Sequence, residues 1–431
     1  MGILIAGMLA VLATTAYSAG RQQSARRPNF VVFLVDDMGM GDLSLTGHPT
    51  IRTPHLDQMA REGLRFTSFY AAPACTPARG MFMTSRYPVR TGLLWPTGPA
   101  DSSGIKMDEV TLSEALKAQG YRTAMFGKWH LGDFDTDPAF NPTRHGFDTF
   151  VGIPYSHDYD PPKGVPLYRD MHVIEQPVVH STITKRLTEE TIRFIHETSG
   201  RPFFIYVAHP MPHVPIASSE EFHGHSIAGR YGDAVEELDW SVGKVLTALK
   251  ERHLDSNTVT VFMSDNGPWV DAGLQLYDRG SRGVKSQGDV GWAGLLRGGK
   301  GSTWEGGIRV PGILRWPGTV APGRISSDIV SILDWFPTFV NVAGGKMPTD
   351  RQIDGVDITA LLKGVGPSAR KDLFYFFQSK LEAVRDGDWK LRVAAAPQLF
   401  NLSTDPAERY NVTADYPEIV ARLQAKMSAF K

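Results

Sequence analysis

Asn29-Phe30-Val31-Val32-Phe33-Leu34-Val35-Asp36-Asp37 decides how the rest of the chain is read. After Asn29, Phe30 to Val35 is a short, unbroken apolar run rich in β-branched side chains. Such a run reads as a strand covered on both faces, the habit of a parallel sheet with helices above and below. The strand ends in two adjacent carboxylates, followed by turn residues to Gly41-Asp42. The carboxyl ends of central strands are where α/β sheets place their sites. Like charges this close repel each other, and a cation would relieve them. The plainer alternative is a solvated loop start.

Outward from this strand, Leu64 to Tyr70, Tyr121 to Phe126, Pro202 to Ala208 and Thr258 to Met263 also read as strands. Helical patterns lie between them: Pro54 to Gly63, a helix opened by the capping box Thr111-Leu112-Ser113-Glu114, Thr182 to His196, and Asp233 to His253. The expectation is an α/β fold, a large mixed and mostly parallel sheet flanked by helices. Residues 267–301 are glycine-rich without apolar periodicity and read as a long surface loop. After Pro317 the texture changes. A helix is expected over Asp328 to Ala343 and a short segment over Ile353 to Lys363. Short alternating strands then follow, with Asp386-Gly387-Asp388 as a hairpin turn. With a terminal amphipathic helix from Tyr416, they predict a smaller C-terminal antiparallel sheet plus helix. The expected boundaries are 1–20, 28–345 and 346–431.

Composition narrows the function classes. Hydrophobic residues make up 42% and charged residues 21% of 431, and the net charge is −1. This describes a globular protein with no basic footprint for nucleic acid or an acidic membrane. Residues 1–19 are apolar and small, followed by Arg21, Arg26 and Arg27, as in a secretory signal cleaved near Ser18 or Ala19. The leading residues carry no Lys or Arg, so a retained anchor is the alternative; no other stretch is apolar enough to span a bilayer. Export predicts a periplasmic or secreted protein. A single cysteine leaves it no internal disulfide.

Chemistry-bearing residues gather at strand ends. Ser264-Asp265-Asn266-Gly267 closes the Thr258 strand with a second pair of oxygen donors. Asp36, Asp37, Asp265 and Asn266 form a hard, all-oxygen set that suits calcium and not zinc. Lys128 and His130 follow another strand and could face one pocket, or be a surface lysine and a structural histidine. The Leu64 strand leads to Pro73-Ala74-Cys75-Thr76-Pro77-Ala78-Arg79 and a helix expected from about Ala78. A lone thiol near an arginine is either a buried small hydrophobe or a reactive thiolate.

The wording Cys75-Thr76-Pro77-Ala78-Arg79 resembles the Cys-x-Pro-x-Arg sequence of the sulfatase family, in the alkaline phosphatase superfamily. The run from Gly120 through Gly127-Lys128-Trp129-His130 is similar to that family's second diagnostic segment, and Phe147 to Asp158 to arylsulfatase A-type enzymes. The resemblance implies an alkaline phosphatase-like fold and hydrolysis of sulfate esters. It implies that Cys75 is oxidised to formylglycine by a separate formylglycine-generating enzyme. The hydrated aldehyde would attack sulfur and share Ca²⁺ with Asp36, Asp37, Asp265 and Asn266. Lys128 and Lys300 would neutralise sulfate oxygens, Ser156 would touch the substrate, and Arg79 would orient the diol. His213, in Pro212-His213-Val214-Pro215, would protonate the leaving alcohol at the substrate, and His130 would take the proton that lets sulfate leave. His209 reads as structural. Two competing readings are a phosphodiester or phosphonate monoester hydrolase on the same scaffold, and a non-catalytic binding protein with Cys75 unmodified.

Overall fold

The computed structural model describes residues 27–159, 161–270, 289–393 and 396–430. The expected export signal lies outside them, as does the middle of the 267–301 loop.

The strands are β1 (Asn29–Val35), β2 (Leu64–Phe66), β3 (Phe69–Tyr70), β4 (Arg122–Lys128), β5 (Thr149–Ile153), β6 (Leu167–Arg169), β7 (His172–Glu175) and β8 (Phe203–Ala208). They continue with β9 (Thr258–Ser264), β10 (Gly312–Arg315), β11 (Arg324–Ser326), β12 (Val330–Ser331), β13 (Asp372–Phe377), β14 (Lys380–Asp386), β15 (Trp389–Val393) and β16 (Pro397–Asn401). The helices are α1 (Pro54–Arg61), α2 (Cys75–Thr84), α3 (Pro88–Thr91), α4 (Leu112–Ala118), α5 (His180–Glu197) and α6 (Gly229–Glu251). After them come α7 (Glu305–Ile308), α8 (Trp335–Val342), α9 (Thr359–Lys363) and α10 (Pro417–Ser428).

A ten-stranded sheet in the order β11-β2-β10-β9-β1-β8-β4-β5-β6-β7 is the spine. Its centre, β9-β1-β8-β4-β5, is parallel throughout. Antiparallel pairings begin at β10 on one side and β6 on the other. Every residue of β1 is buried, as its apolar run requires. Alternation then splits its side chains between two cores. Phe30, Val32 and Leu34 join Phe82 of α2, Leu112 of α4 and Phe339 of α8. Val31, Phe33 and Val35 join Leu187 of α5 and Leu238 of α6 on the other face. The expected capping box opens α4: the Thr111 hydroxyl accepts from Glu114 N at 3.2 Å, and Thr111 N donates to Glu114 Oε2 at 2.8 Å.

Beyond Arg370 a four-stranded antiparallel sheet, β13-β14-β15-β16, has Gly387-Asp388 at its β14–β15 turn. Val420 and Leu423 of α10 cover Val384, Leu391 and Leu399.

Four local expectations change. Leu64 to Tyr70 is not one strand: the chain bends at Thr67-Ser68, so β2 joins the large sheet while β3 pairs with β12. Thr67 N and the Ser68 carbonyl are used by Ser326 and Val330 there. The helix expected from Ala78 begins at Cys75, because Ala74 is still extended (φ −152°, ψ 162°). Pro77 lies in its first turn, where a missing N–H costs nothing. The helix expected over Asp328 to Ala343 is only Trp335–Val342, preceded by β12 and a 3₁₀ turn. The flanks of the 267–301 loop are not wholly surface, since Asp289, Ala293 and Lys300 are buried.

Candidate active site

Five neighbouring parallel strands deliver their ends to one edge of the sheet. Asp265 and Asn266 follow β9, Asp36 and Asp37 follow β1, and His213 lies in the loop after β8. Lys128 is the last residue of β4, His130 lies just beyond, and Ser156 follows β5. Cys75 and Arg79 come from the first two turns of α2, and Lys300 from the segment before α7. All these side chains are buried.

Cys75 sits at the middle. Its Sγ lies 3.1 Å from Asp36 Oδ1, 3.5 Å from Lys300 Nζ and 4.0 Å from Asp37 Oδ1. Lys128 Nζ contacts Asp36 Oδ2 and donates to Ser156 Oγ at 3.1 Å. Lys300 Nζ lies 2.7 and 2.8 Å from the two oxygens of Asp37. His213 Nε2 is 3.5 Å from Asp37 Oδ2. Burial alone would raise the Asp36 carboxyl, but Lys128, His213, Arg79 and Lys300 outweigh it and hold it well below the usual range. Burial and the Asp36 charge push the Cys75 thiol well above its ordinary value, despite Lys128 and Lys300. That direction disfavours the reactive thiolate that the nearby arginine suggests.

Two histidines have defined tautomers. A carbonyl oxygen can only accept, so His130 Nε2, 2.8 Å from Thr97 O, carries the hydrogen. Its Nδ1 has no hydrogen-bond partner among the described residues. Burial, then Lys128 and Arg79, hold this imidazole far below its usual pKa, hence neutral. His213 Nδ1 donates to Val214 O, which leaves Nε2 to exchange a proton in the cluster. His209 stands apart, bonded at 3.1 Å to Ser241 Oγ, in the structural place expected of it.

Arg79 reaches the cluster from below. Its Nε and Nη2 lie 3.1 and 2.8 Å from Asp265 Oδ2, and Nη1 donates to Lys128 O at 2.7 Å. It thus grips a carboxylate and the end of β4 together.

A cation has donors to fit. One ligand atom each from Asp36, Asp37, Cys75 and His213 lie within 4.8 Å of one another. Asp265 Oδ1 is 3.3 Å from Asp37 N, and Asn266 Nδ2 donates to Asp37 Oδ1 at 2.7 Å. Asn266 Oδ1 is buried with no hydrogen-bond partner among the described residues. Burial and the neighbouring Asp36 charge push Asp265 up, against Arg79. An orphaned amide oxygen beside crowded carboxylates is the donor set a hard divalent ion takes.

Residues 28–345 match the family model described as Sulfatase. The chain belongs to the sulfatase family. A second model, N-sulphoglucosamine sulphohydrolase, C-terminal, matches residues 299–431. The sulfatase is 38% identical over 460 residues to arylsulfatase A of Bos taurus, covering 94% of this chain and 87% of that protein. Among solved structures it is similar to the PsFucS1 sulfatase from Pseudoalteromonas sp., with a TM-score of 0.83, 29% identity, and 94% and 90% of the two chains covered. The phosphonate monoester hydrolase of Agrobacterium radiobacter, at 21% identity and a TM-score of 0.67 over 94% and 95% of the chains, shares the fold. The sulfatase is accordingly a sulfuric ester hydrolase.

Two parts of this sulfatase's site escaped the sequence reading. The Thr97 carbonyl that fixes His130 is backbone, which no residue type announces. Asp42 was read as a turn residue, yet its carboxylate accepts from Gly39 N and Trp292 N at 2.6 and 2.7 Å and from Tyr231 Oη at 2.6 Å. An acidic residue a few positions past a strand-end carboxylate pair was the available signal.

Proposed function

We propose that this sulfatase hydrolyses an aryl sulfate or a sulfated carbohydrate or glycolipid, using a formylglycine made from Cys75 by a separate maturation enzyme and a bound Ca²⁺. The observation that carries the reading is the position of Cys75: a buried side chain at the focus of paired carboxylates, two lysines and two histidines. Residue 75 as hydrated formylglycine would supply the attacking oxygen, and Ca²⁺ held by Asp36, Asp37, Asp265 and Asn266 would supply positive charge beside it.

The remaining roles belong to the chain's own side chains. Lys128 and Lys300 neutralise sulfate oxygens, with Ser156 beside Lys128; each such donor is worth about 3 kcal/mol in the transition state. His213, with a hydrogen on each ring nitrogen, gives the Nε2 proton to the departing alkoxide while Nδ1 stays on Val214 O, a general-acid role. His130, neutral with Nδ1 as its acceptor, takes the proton from residue 75 that accompanies sulfate release. Arg79 acts on residue 75 through Asp265 and the Lys128 carbonyl, and so orients the diol by holding its surroundings. Residues 28–345 are proposed as the catalytic unit and 346–431 as the smaller one. Action in a periplasm or outside the cell agrees with the apolar residues 1–19.

Peptide mass at residue 75, followed by turnover of an aryl sulfate beside an aryl phosphodiester with Ca²⁺ present, tests the reading. The oxidised residue and strong preference for the sulfate are expected. Cys75→Ala should abolish turnover with the melting temperature nearly unchanged. Retained turnover in that variant, or preference for the diester, would overturn the assignment.

A further inference from the structure

The segment that carries Lys300 is held from the side of the C-terminal sheet. Lys390 of β15 is wholly buried, and its Nζ donates to Thr303 O at 2.8 Å, three residues from Lys300. The same ammonium is 3.0 Å from Glu305 Oε1 and 2.7 Å from Glu408 Oε1. Glu408 accepts from Glu305 N at 2.7 Å, and its carbonyl accepts from Arg297 at 3.0 Å. The Thr303 hydroxyl donates to Glu382 Oε2 of β14 at 2.7 Å and lies 3.1 Å from Arg392 Nη2 of β15. Both ends and the middle of residues 297–305 are thereby tied to β14, β15 and the turn after β16. The Lys300 amine, meanwhile, points the other way, to Asp37 and Cys75.

We propose that the C-terminal sheet positions the sulfate-binding lysine: Thr303, Lys390 and Glu408 hold residues 297–305 so that Lys300 Nζ stays against residue 75. The inference rests on the reading of Lys300 as a sulfate-holding group. These three are positioning residues, since each acts through the backbone that bears Lys300. A rigid tether suits a group whose worth depends on place: a misplacement of about 1 Å can cost about 100-fold in rate. Residues 294–307 include six glycines, whose backbone freedom gives such tethers something to restrain.

The test is a double-mutant cycle on the matured, Ca²⁺-loaded enzyme. Thr303→Val keeps volume and removes the hydroxyl tether. Lys390→Met removes the stronger one, and serves only if it folds; Thr303→Val stands in its place otherwise. Two readouts are taken: kcat/KM on an aryl sulfate, and Kd for inorganic sulfate by calorimetry. Thr303→Val should lower kcat/KM and weaken sulfate binding by about tenfold each. In a Lys300→Ala background both penalties should shrink to within about twofold, because the tether then has nothing to place. Equal penalties in both backgrounds, or none in either, would overturn the proposal. If Lys300→Ala alone leaves sulfate affinity intact, the sulfate-holding role of Lys300 fails, and the positioning inference falls with it.

Discussion

Burial decides what each ionisable residue can do in this protein, and histidines show it most directly. His209 lies wholly inside, against Phe33 and Ser241, and burial pulls its pKa down to about 3. The unfolded chain titrates it near 6.5. Between those values the unfolded state binds the extra proton, so stability rises with pH there. The contribution is complete above about pH 6.5 and is lost as pH falls through the window toward 3, at up to about 1.4 kcal/mol per unit. His209→Gln keeps a partner for Ser241 and removes the titration. Its denaturant stability should therefore fall less steeply than wild type between pH 6.5 and 5, and an unchanged slope would contradict this account. His130 is shifted in the same direction by the same burial, but there the neutral ring is the form that can accept a proton. Chemically alike residues thus part company through what surrounds them, which the sequence cannot display.

At the scale of elements, the strands were legible wherever their pattern was set by burial alone. β1 has the bounds its apolar run suggested, and β8 and β9 differ by a residue. Their carboxyl-end residues followed from topology: parallel neighbours put Asp36, Asp265 and Lys128 on one edge without any local signal linking them. What was not legible depended on non-local partners. The bend at Thr67 exists because Ser326 accepts from its N–H at 2.8 Å, 259 positions away. The early start of α2 depends on Ala74 being held extended, and that start is what puts Cys75 in the first turn. Glycines at strand ends carry a related, testable constraint. Gly127 has φ +126°, and a Cβ there would stand 1.9 Å from Ala208 O on the adjacent strand. Gly127→Ala should therefore force β4 away from β8 just before Lys128. Activity should fall by at least about 100-fold, with about 1–3 kcal/mol lost in unfolding experiments. Near-normal turnover would show that the close β4–β8 approach is not needed for the site.

Across the whole molecule, the site is a balance of charge drawn from every part of the chain. Asp36, Asp37 and Asp265 face Arg79, Lys128 and Lys300, and all six are buried. Each carboxylate has a cationic partner at contact distance: Lys128 at Asp36, Lys300 at Asp37 and Arg79 at Asp265. A divalent ion on the same oxygens competes with the two ammonium groups for them. Lysines so displaced have a use only if an anion arrives to receive them. Ion and sulfate should then bind with positive coupling, and linkage requires the effect to be equal in both directions. Calorimetry should find Ca²⁺ binding tighter in the presence of inorganic sulfate, and sulfate binding tighter in Ca²⁺, by the same factor of about 5 to 150. Chelation should lower activity and melting temperature together, since a ligand bound only by the folded state stabilises it, by about 2.7 kcal/mol at 100 times its Kd. Lys300→Ala removes one of the competing ammonium groups and one proposed sulfate donor, so in that variant the coupling should weaken while Ca²⁺ binding itself is kept or strengthened. Independent binding of ion and anion in the wild type would mean that the lysines are not shared between carboxylate and sulfate, and that the paired geometry of Lys128 and Lys300 persists through the reaction.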